Sequence, residues 1–289
     1  KYYPDIVRDP RERLKTESSV SKFLVKNGLL NVLVCEEAKF ELNIGMYLWI
    51  AGKSVKKIDE LHLEQAISFV QQLKELRSKA SAKSLPLASE ACLSHKNLKE
   101  QLDRRFKSLK KLNFSNLKIF LKKEWQPIYD QCMSRSIKDL YELPRLYQTL
   151  SPSDFGFHNA LESSDGKLHW FDFEYFGWDD PVKLICDFLW HPAMQLSHEL
   201  KQQWVSKCCK IFENDPNLRS RLKQDWALYG LRWSLILLNE FLPQQWEQRM
   251  LAQKLDSNLK LERQQIQLQK ARNICQLIHQ ENYTIPYLN

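Results

Sequence analysis

Apolar residues recur at helical spacing along most of the chain. Residues 11–29 carry Leu14, Glu17, Val20, Phe23 and Leu24 near one face and end at the stop signal Asn27-Gly28. In 61–77, apolar side chains follow the i, i+3, i+4, i+7 pattern of a helix with one buried face. Similar patterns fill 98–148 and nearly everything after Pro181 to about residue 282. The chain is therefore predicted to be mostly helical.

Short β-branched and aromatic runs interrupt this pattern. Residues 31–52 contain two such runs, which predict two strands ending at Gly52. Residues 167–176 follow the turn dipeptide Asp165-Gly166 and predict a β-ribbon. Residues 78–97, rich in Ser, Lys and Ala, predict a loop or a lid. The expected organisation is α+β, with a small segment at 1–52 and a helical domain at 53–289 that holds a hairpin at its centre.

Composition and charge exclude few classes of function. The net charge of +8 comes from scattered lysines and arginines, so we expect no nucleic-acid partner. No apolar run reaches the roughly 20 residues that span a bilayer, and no signal peptide is recognised, so no membrane span is expected. Seven cysteines without a CxxC motif predict reduced thiols and a cytoplasmic protein. The sequence leaves the oligomeric state open.

Carboxylates crowd among aromatic residues in 151–181, although the rest of the chain is basic. Asp154 is followed five residues later by Asn159, and Asp172 lies 18 residues beyond Asp154, past the predicted hairpin. A carboxylate that binds no metal can accept a proton from an attacking hydroxyl, and Asn and Asp oxygens suit Mg²⁺. Phosphoryl transfer requires such a base, a metal and a cation on the phosphates.

This stretch resembles the aminoglycoside phosphotransferase and choline kinase family. The family pattern is Asp-x-x-x-x-Asn, a hairpin, a strand with apolar-Asp-aromatic-Glu, and then Asp-Pro-x-x-Asp. The last part is matched here by Asp180-Pro181, with Asp187 downstream. The resemblance implies that Asp154 is the catalytic base and that Asn159 and Asp172 are metal ligands. It also implies that Asp187 braces the catalytic loop by hydrogen bonds. The string "DFG" that begins at Asp154 is not the metal motif of protein kinases, because Asp154 stands where the catalytic base belongs.

The resemblance extends upstream of these motifs. It implies that Lys1 holds the nucleotide phosphates and pairs with Glu17, and that the hinge residues Leu48, Trp49 and Ile50 bind adenine through backbone groups. The implied fold is a protein-kinase-like two-lobe fold, with a truncated small N-lobe and a large, mostly helical C-lobe. The N-lobe is expected to be truncated because the strands and phosphate-covering loop that precede the family's lysine are not in this sequence.

Pro152-Ser153 replaces the His-Gly pair that usually precedes the catalytic Asp of the family. We expect Pro152 to brace the loop by its rigidity. His158 is predicted to be structural or to face solvent, and the C-terminal tryptophans to lie mostly in the core.

The predicted function is a Mg²⁺-dependent small-molecule kinase. It would transfer the γ-phosphoryl group of ATP or GTP to a hydroxyl of a small polar acceptor, such as an aminoglycoside, a choline-like compound or a sugar. Glu174, Asp179 and Asp180 suit an amino-sugar or choline-like cation, and sugar acceptors are equally admissible. Two alternatives stay open: a non-catalytic nucleotide-binding module, and a protein-kinase-like enzyme, which is disfavoured because no activation-segment motif follows Asp172.

Overall fold

The computed structural model describes residues 1–4, 9, 11–135, 141–246 and 259–288. It divides the chain into two compact units. The first comprises Lys1–Leu93 with Leu143–Leu218, and the second comprises Ser94–Glu142 with Arg219–Leu288. The expected site residues, from Lys1 to Asp187, all fall in the first unit.

The first unit begins with helix α1 and a β-hairpin. Helix α1 (Arg13–Lys26) is followed by β1 (Cys35–Lys39) and β2 (Ile44–Tyr47), which pair antiparallel. Tyr2 forms a further antiparallel bridge to Ile44 on the same strand, which ties the start of the chain to this hairpin.

Helix α2 (Glu60–Leu76) carries the apolar face that the sequence predicts. Asp59 caps its N-terminus by accepting a hydrogen bond from the backbone N–H of His62, which satisfies one of the free donors of the first turn. Leu63, Ala66, Val70 and Leu73 are fully buried on one side. The helix therefore provides an apolar wall for the first unit.

Two small antiparallel sheets flank the motifs that hold Asp154, Asn159 and Asp172. One has the order β3–β5–β6 and consists of β3 (Lys53–Ser54), β5 (Ala160–Glu162) and β6 (Leu168–Trp170). The other pairs β4 (Thr149–Ser151) with β7 (Gly177–Asp179). Because Gly166 adopts φ +79° in the turn after β5, the Asp165-Gly166 signal does mark a hairpin.

Two helices complete the first unit. Helix α6 (Pro181–Trp190) follows β7 directly, has Pro at its first position and is capped by the Asp180 side chain. All ten of its residues are buried. Helix α7 (His198–Ile211), capped by Ser197, packs on α2 and α6.

The second unit is helical over its described residues. Its helices are listed in chain order: α3 (His95–Lys110), α4 (Ser115–Phe120), α5 (Gln126–Arg135), α8 (Leu218–Leu237, which begins at the boundary of the units) and α9 (Lys260–Gln280). A π-helical turn at Leu121–Trp125 joins α4 to α5. Trp125 is buried, stacks on Phe106 and Tyr129, and donates a hydrogen bond to Ser234 on α8.

The structure corrects three details of the predicted elements. The predicted ribbon at 167–176 ends at Trp170, because the chain turns sharply at Asp172, which has φ +67°. Residues 78–97, predicted as a loop or a lid, form a packed loop with a 3₁₀ turn at Ala80–Ser84, and α3 begins at His95. The loop is packed because Trp178 N–H donates to the Pro86 carbonyl, and the Ala88 and Ser89 N–H groups donate to the carbonyls of Trp178 and Tyr175. The helix predicted up to residue 148 is wrong at 141–148, which form irregular chain and a turn, because Pro144 lacks the backbone N–H that a helix interior needs. The other helical segments are found where expected, and parts of them at 136–140 and 247–258 lie outside the described residues.

Candidate active site

The β5–β6 hairpin brings Asn159 and Asp172 to the same end. Ala160 pairs with Trp170 across the two strands. One residue further out, Phe171 N–H donates a hydrogen bond of 3.1 Å to the carbonyl oxygen of Asn159. Asp172 is the next residue, so two motifs that are 13 residues apart in sequence become neighbours through the strand register.

Aromatic neighbours hold the two aspartates in place. Phe155 and Phe173, which directly follow Asp154 and Asp172, are buried and both pack on Phe69 of α2, with ring centroids 5.5 and 6.3 Å away. The acidic side chains themselves stay about one-third exposed, at 35% for Asp154 and 32% for Asp172. Each carboxylate is therefore anchored by a core ring and is itself half-buried, with part of its surface open to solvent.

Asn159 and Asp172 have the donor chemistry of a magnesium site. Asn159 Nδ2 donates a hydrogen bond of 2.9 Å to the carbonyl oxygen of Asp154, which leaves the amide oxygen for other partners. Asp172 adds a carboxylate in a left-handed backbone conformation. Both groups offer hard oxygen ligands, as Mg²⁺ requires, so the residues fit the expected metal.

Lys1 is surrounded by three carboxylates. Its Nζ lies 2.8 Å from Glu17 and 2.9 Å from Glu174, and it also forms an ion pair with Asp172. Glu174 makes a second ion pair of 2.8 Å with Arg13 at the start of α1. The expected Lys1–Glu17 pair is thus present. The candidate metal ligand Asp172 belongs to the same network of ion pairs.

Glu17 is the buried centre of this network. Only 2% of the residue is exposed, and it accepts hydrogen bonds from Lys1, from the hydroxyl of Tyr3 and from the backbone N–H of Phe173. The last contact, 3.2 Å long, ties α1 directly to the residue after Asp172. Glu17 therefore fixes both the lysine and the metal-ligand turn.

The charges of this network shift its pKa values. Burial lowers the pKa of Lys1, but the carboxylates of Glu17, Asp172 and Glu174 outweigh it and raise that pKa overall. Burial raises the pKa of Asp172 to about 6, with Lys1 opposing the shift and Glu174 adding to it. Asp172 consequently takes up a proton at mildly acidic pH, whereas Lys1 stays charged.

Two histidines flank the candidate base Asp154. Its Oδ1 lies 3.2 Å from His158 Nε2 and 3.8 Å from His191 Nε2. Although burial acts in the opposite direction, the hydrogen bond and charge of His158, with further contributions from His191 and Asn159, lower the pKa of Asp154. The carboxylate is therefore ionised at neutral pH, as a proton acceptor must be.

The same three residues do not fit a shared metal ion. Their ligand atoms all lie within 4.8 Å of one another, but the two imidazole rings are stacked 3.8 Å apart and almost parallel, at 6°. An imidazole nitrogen binds a metal along its lone pair, which lies in the plane of the ring. A single ion cannot lie in the planes of two parallel stacked rings, so we interpret this cluster as an environment for Asp154.

The remaining expected site residues occupy different positions. Leu48, Trp49 and Ile50 directly follow β2, and the side chains of Leu48 and Trp49 are 66% and 92% exposed. Asp187, which was expected to brace the catalytic loop, lies 3.3 Å from Lys183, and Lys183 in turn reaches Ser153. The roles of all these residues stay predictions.

Sequence reasoning missed several residues of the site. His191 carries no local signal, because it lies 37 residues after Asp154 and comes close only through the packing of α6. His158 was expected to be structural or to face solvent, and the structure places it against the candidate base. Arg13 and Tyr3 were also missed. The one signal that could have found Arg13 is its helical spacing, which puts it one turn before Glu17.

Comparisons with known proteins place this geometry in a wider context. No family model and no curated protein matches the sequence. Among solved structures, the choline kinase LicA from Streptococcus pneumoniae is similar, with a TM-score of 0.58, 12% identity and coverage of 94% of this chain and 85% of that one. The ADP-bound aminoglycoside phosphotransferase APH(2″)-Ib has a TM-score of 0.53 and 18% identity, and the match covers 94% of this chain and 86% of that one. Spectinomycin phosphotransferase APH(9)-Ia, in complex with ADP and spectinomycin, has a TM-score of 0.57 and 12% identity, and the match covers 92% of this chain and 83% of that one.

These similarities extend over nearly the whole chain at low identity, so they concern the fold. Together with the small sheets of the first unit and the many helices, they confirm the expected fold class. The chain has the protein-kinase-like fold of the aminoglycoside phosphotransferase and choline kinase type, with a small N-lobe and a helical C-lobe.

Proposed function

We propose that this protein is a kinase that transfers the γ-phosphoryl group of ATP or GTP to a hydroxyl group of a small polar acceptor. The observation that carries the proposal is the meeting of three groups in one unit: the ionised Asp154, the oxygen donors of Asn159 and Asp172, and the Lys1–Glu17 pair. Phosphoryl transfer depends on positioning and charge compensation more than on covalent chemistry. These groups supply both.

Each residue has a distinct role in this proposal. Asp154 orients the acceptor hydroxyl and takes its proton. Lys1, held by Glu17, binds the phosphates of the nucleotide, and backbone groups at Leu48–Ile50 bind its base. Asn159 and Asp172 would hold Mg²⁺, which would neutralise charge on the phosphates.

Lys1 and a metal ion compete for the same carboxylate. Lys1 Nζ is paired with Asp172 in the structure, whereas the proposal requires the lysine to contact phosphate. Glu17 and Glu174 retain Lys1 when Asp172 is used elsewhere, because both lie within 2.9 Å of Nζ. The network therefore lets Asp172 change partners without leaving the lysine uncompensated.

Three acidic residues that suit a cationic acceptor, Glu174, Asp179 and Asp180, already have partners within the protein. Glu174 pairs with Lys1 and Arg13, Asp179 pairs with Lys183, and the Asp180 side chain caps α6. They give no support for an amino-sugar or choline-like cation over a neutral sugar. We propose a small hydroxylated acceptor without assigning its charge.

The solved structures support the class of acceptor. Their names describe kinases for choline, an aminoglycoside and spectinomycin, and two of them hold ADP. All three acceptors are small molecules. By analogy of fold, which is a weaker argument than the site itself, we propose a small-molecule acceptor rather than a protein or a nucleic acid.

The decisive experiment assays ADP release with a panel of aminoglycosides, choline, ethanolamine, sugars and amino acids. Asp154→Asn is expected to cut turnover by roughly 10²-fold or more while nucleotide binding is retained, because a general base contributes about that factor. Asp165→Asn, the same change at an exposed turn residue, is the matched control and should leave turnover unchanged. Equal turnover in Asp154→Asn and wild type would show that the base is misassigned.

A second measurement separates the enzyme from a non-catalytic nucleotide-binding module. Mg²⁺-ATP should raise the melting temperature of wild type, and Asp172→Ala should abolish this shift, because the variant lacks the charged ligand. Asp165→Ala is the control. Binding without turnover of any acceptor would support the binding module, and an unchanged shift in Asp172→Ala would contradict the metal assignment.

We also propose a cytoplasmic location. All seven cysteines are buried and none forms a disulfide, which suits a reducing compartment. Among the residues that the structure describes, none of the helices combines the length and apolarity that a bilayer crossing requires.

A further inference from the structure

A buried lysine on α6 has no part in the proposed reaction so far. Lys183 is 0% exposed. Its Nζ lies 2.8 Å from Asp179 at the end of β7 and 3.3 Å from Asp187, one turn further along the helix. A buried charge is costly unless it is paired and hydrogen-bonded, so an arrangement of three buried charges raises the question of what it holds.

The lysine also binds the residue before the candidate base. Lys183 Nζ donates a hydrogen bond of 3.0 Å to Ser153 Oγ. An ammonium group has three donors, and here its partners are two carboxylates and one hydroxyl. Asp179 is itself fixed, because its Oδ1 accepts hydrogen bonds from the backbone N–H groups of Cys92 and Asp180. The position of the lysine is therefore set by the β7–α6 junction.

Ser153 adopts a backbone conformation that serine rarely takes. Its φ is +67°, in the left-handed region that costs free energy for residues with a Cβ. Three hydrogen bonds hold it there: the one from Lys183, one of 2.9 Å from Ser153 Oγ to the Ser89 carbonyl, and one of 3.0 Å from Ser153 N–H to Ser151 Oγ. The expected rigidity of Pro152 is thus joined by side-chain contacts.

We propose that Lys183 is a positioning residue for the phosphoryl-transfer reaction. Its hydrogen bond to Ser153 Oγ holds the left-handed turn that directs the Asp154 carboxylate. A glycine at position 153 would adopt this turn by its conformational freedom alone, whereas serine needs the contact with Lys183. Asp179 and Asp187 act by fixing the lysine. The assignment of a reaction to Asp154 rests on the proposed function, whereas the contact between Lys183 and Ser153 does not.

A double-mutant cycle tests the proposal. Ser153→Ala removes the hydroxyl but keeps the strain, and should lower kcat about tenfold with the KM for Mg²⁺-ATP within about twofold. Ser153→Gly removes both the hydroxyl and the strain, and should cost about threefold or less. Lys183→Met should lower kcat about tenfold in wild type but less than about twofold in the Ser153→Gly background. Equal losses of kcat in both backgrounds would overturn the proposal.

The cycle separates positioning from stability. Lys183→Met removes the positive charge beside the buried carboxylates of Asp179 and Asp187 and lowers the melting temperature in both backgrounds. Loss of stability alone therefore cannot produce the expected coupling in kcat. Where Lys183→Met does not fold, the contrast between Ser153→Ala and Ser153→Gly decides alone, and equal kcat values in those two variants would overturn the proposal. Lys207→Met, on a half-buried lysine of α7 that pairs with Glu64 away from the Asp154 loop, is the matched control and should have the kcat of wild type.

Hydrogen exchange keeps the test independent of the assignment of function. Amides of 151–159, including Ser153 N–H and Asn159 N–H, which are hydrogen-bonded within the loop, should exchange about tenfold faster in Ser153→Ala than in wild type. Ser153→Gly should exchange more slowly than Ser153→Ala. If wild type phosphorylates no acceptor, the function fails, but faster exchange still supports the positioning contact. Unchanged exchange in Ser153→Ala would overturn it.

Discussion

At the residue scale, the site depends on charges that compensate one another. Glu17, Asp172 and Glu174 contribute three negative charges, and Lys1 and Arg13 contribute two positive ones. Carboxylates this close repel each other unless cations lie between them. This explains why so many acids crowd among aromatic residues: Lys1 lies among the three carboxylates, and Phe155 and Phe173 anchor the backbone beside Asp154 and Asp172.

His191 makes stability depend on pH. Burial, with a contribution from His158, lowers its pKa to about 4, against about 6.5 in an unfolded chain. Between these values the unfolded state binds more protons than the folded state, so stability falls as the pH falls. From pH 7 to pH 5, wild type should lose about 2 kcal/mol more free energy of unfolding than His191→Gln, as measured by urea denaturation.

Two comparisons guard this interpretation of His191. Asp172 titrates in the same range with the opposite sign, because its pKa is raised to about 6. It is present in both proteins, so its contribution cancels in the difference. His198→Gln, at an exposed position on α7, should behave as wild type. Parallel pH dependences of wild type and His191→Gln would contradict the buried neutral state of His191.

At the scale of elements, the site is held where short strands meet loops. Strand β7 lies between β4 and the loop 86–89, and it leads directly into α6, which carries Lys183 and ends beside His191. The aromatic stack of Phe188 on Trp204, with centroids 3.7 Å apart, packs α6 on α7. A shift of β7 against β4 and the loop 86–89 should therefore move both the loop that carries Asp154 and the residues that flank Asp154.

Gly177 on β7 provides a test of how closely this strand packs on the loop 86–89. A Cβ at this position would lie 2.4 Å from the backbone nitrogen of Ala88 and 2.4 Å from the carbonyl carbon of Leu87. Backbone atoms cannot move aside as a flexible side chain does, so Gly177→Ala should lower the free energy of unfolding by about 3 kcal/mol. Denaturant unfolding measures this loss.

The matched control is Gly28→Ala. Gly28 has φ +93° but open space around it, so its substitution should cost about 1 kcal/mol from backbone strain alone. A cost of Gly28→Ala equal to or above that of Gly177→Ala would show that β7 can shift away from the loop 86–89.

At the scale of the whole molecule, the cysteines report on both units. Five lie in the first unit (Cys35, Cys92, Cys186, Cys208 and Cys209) and two in the second (Cys132 and Cys275). All are buried and none forms a disulfide, and burial raises the pKa of Cys132 and of Cys275 to about 12. Since the thiolate is the reactive form, the native protein should react very slowly with thiol reagents.

Thiol titration checks this expectation. Protein prepared without reductant should release all seven thiols in denaturant, and almost none on the same timescale when folded. Fewer than seven thiols in denaturant would reveal a disulfide and contradict the proposed compartment. Rapid labelling of the folded protein would contradict the burial.

The sequence by itself determined the elements and the spacing of the motifs. The helical periodicity of 61–77 predicted α2, and Asp165-Gly166 predicted the hairpin, because both signals are local: a buried helical face repeats about every 3.6 residues, and a tight turn requires a residue that accepts positive φ. The register of that hairpin then brought Asn159 beside Asp172. The division at residue 52 stays a prediction.

Only the tertiary structure decided which distant side chains meet. His191 reaches Asp154, Lys183 reaches Ser153, and Lys1 reaches Asp172, and these contacts depend on how α6 and the start of the chain pack on the small sheets. Such contacts leave no period or turn signal in the sequence, since they join residues 30 to 171 positions apart. The left-handed conformations of Ser153 and Asp172 were hidden for the same reason: residues that disfavour positive φ adopt it only where long-range hydrogen bonds and core packing hold them in place.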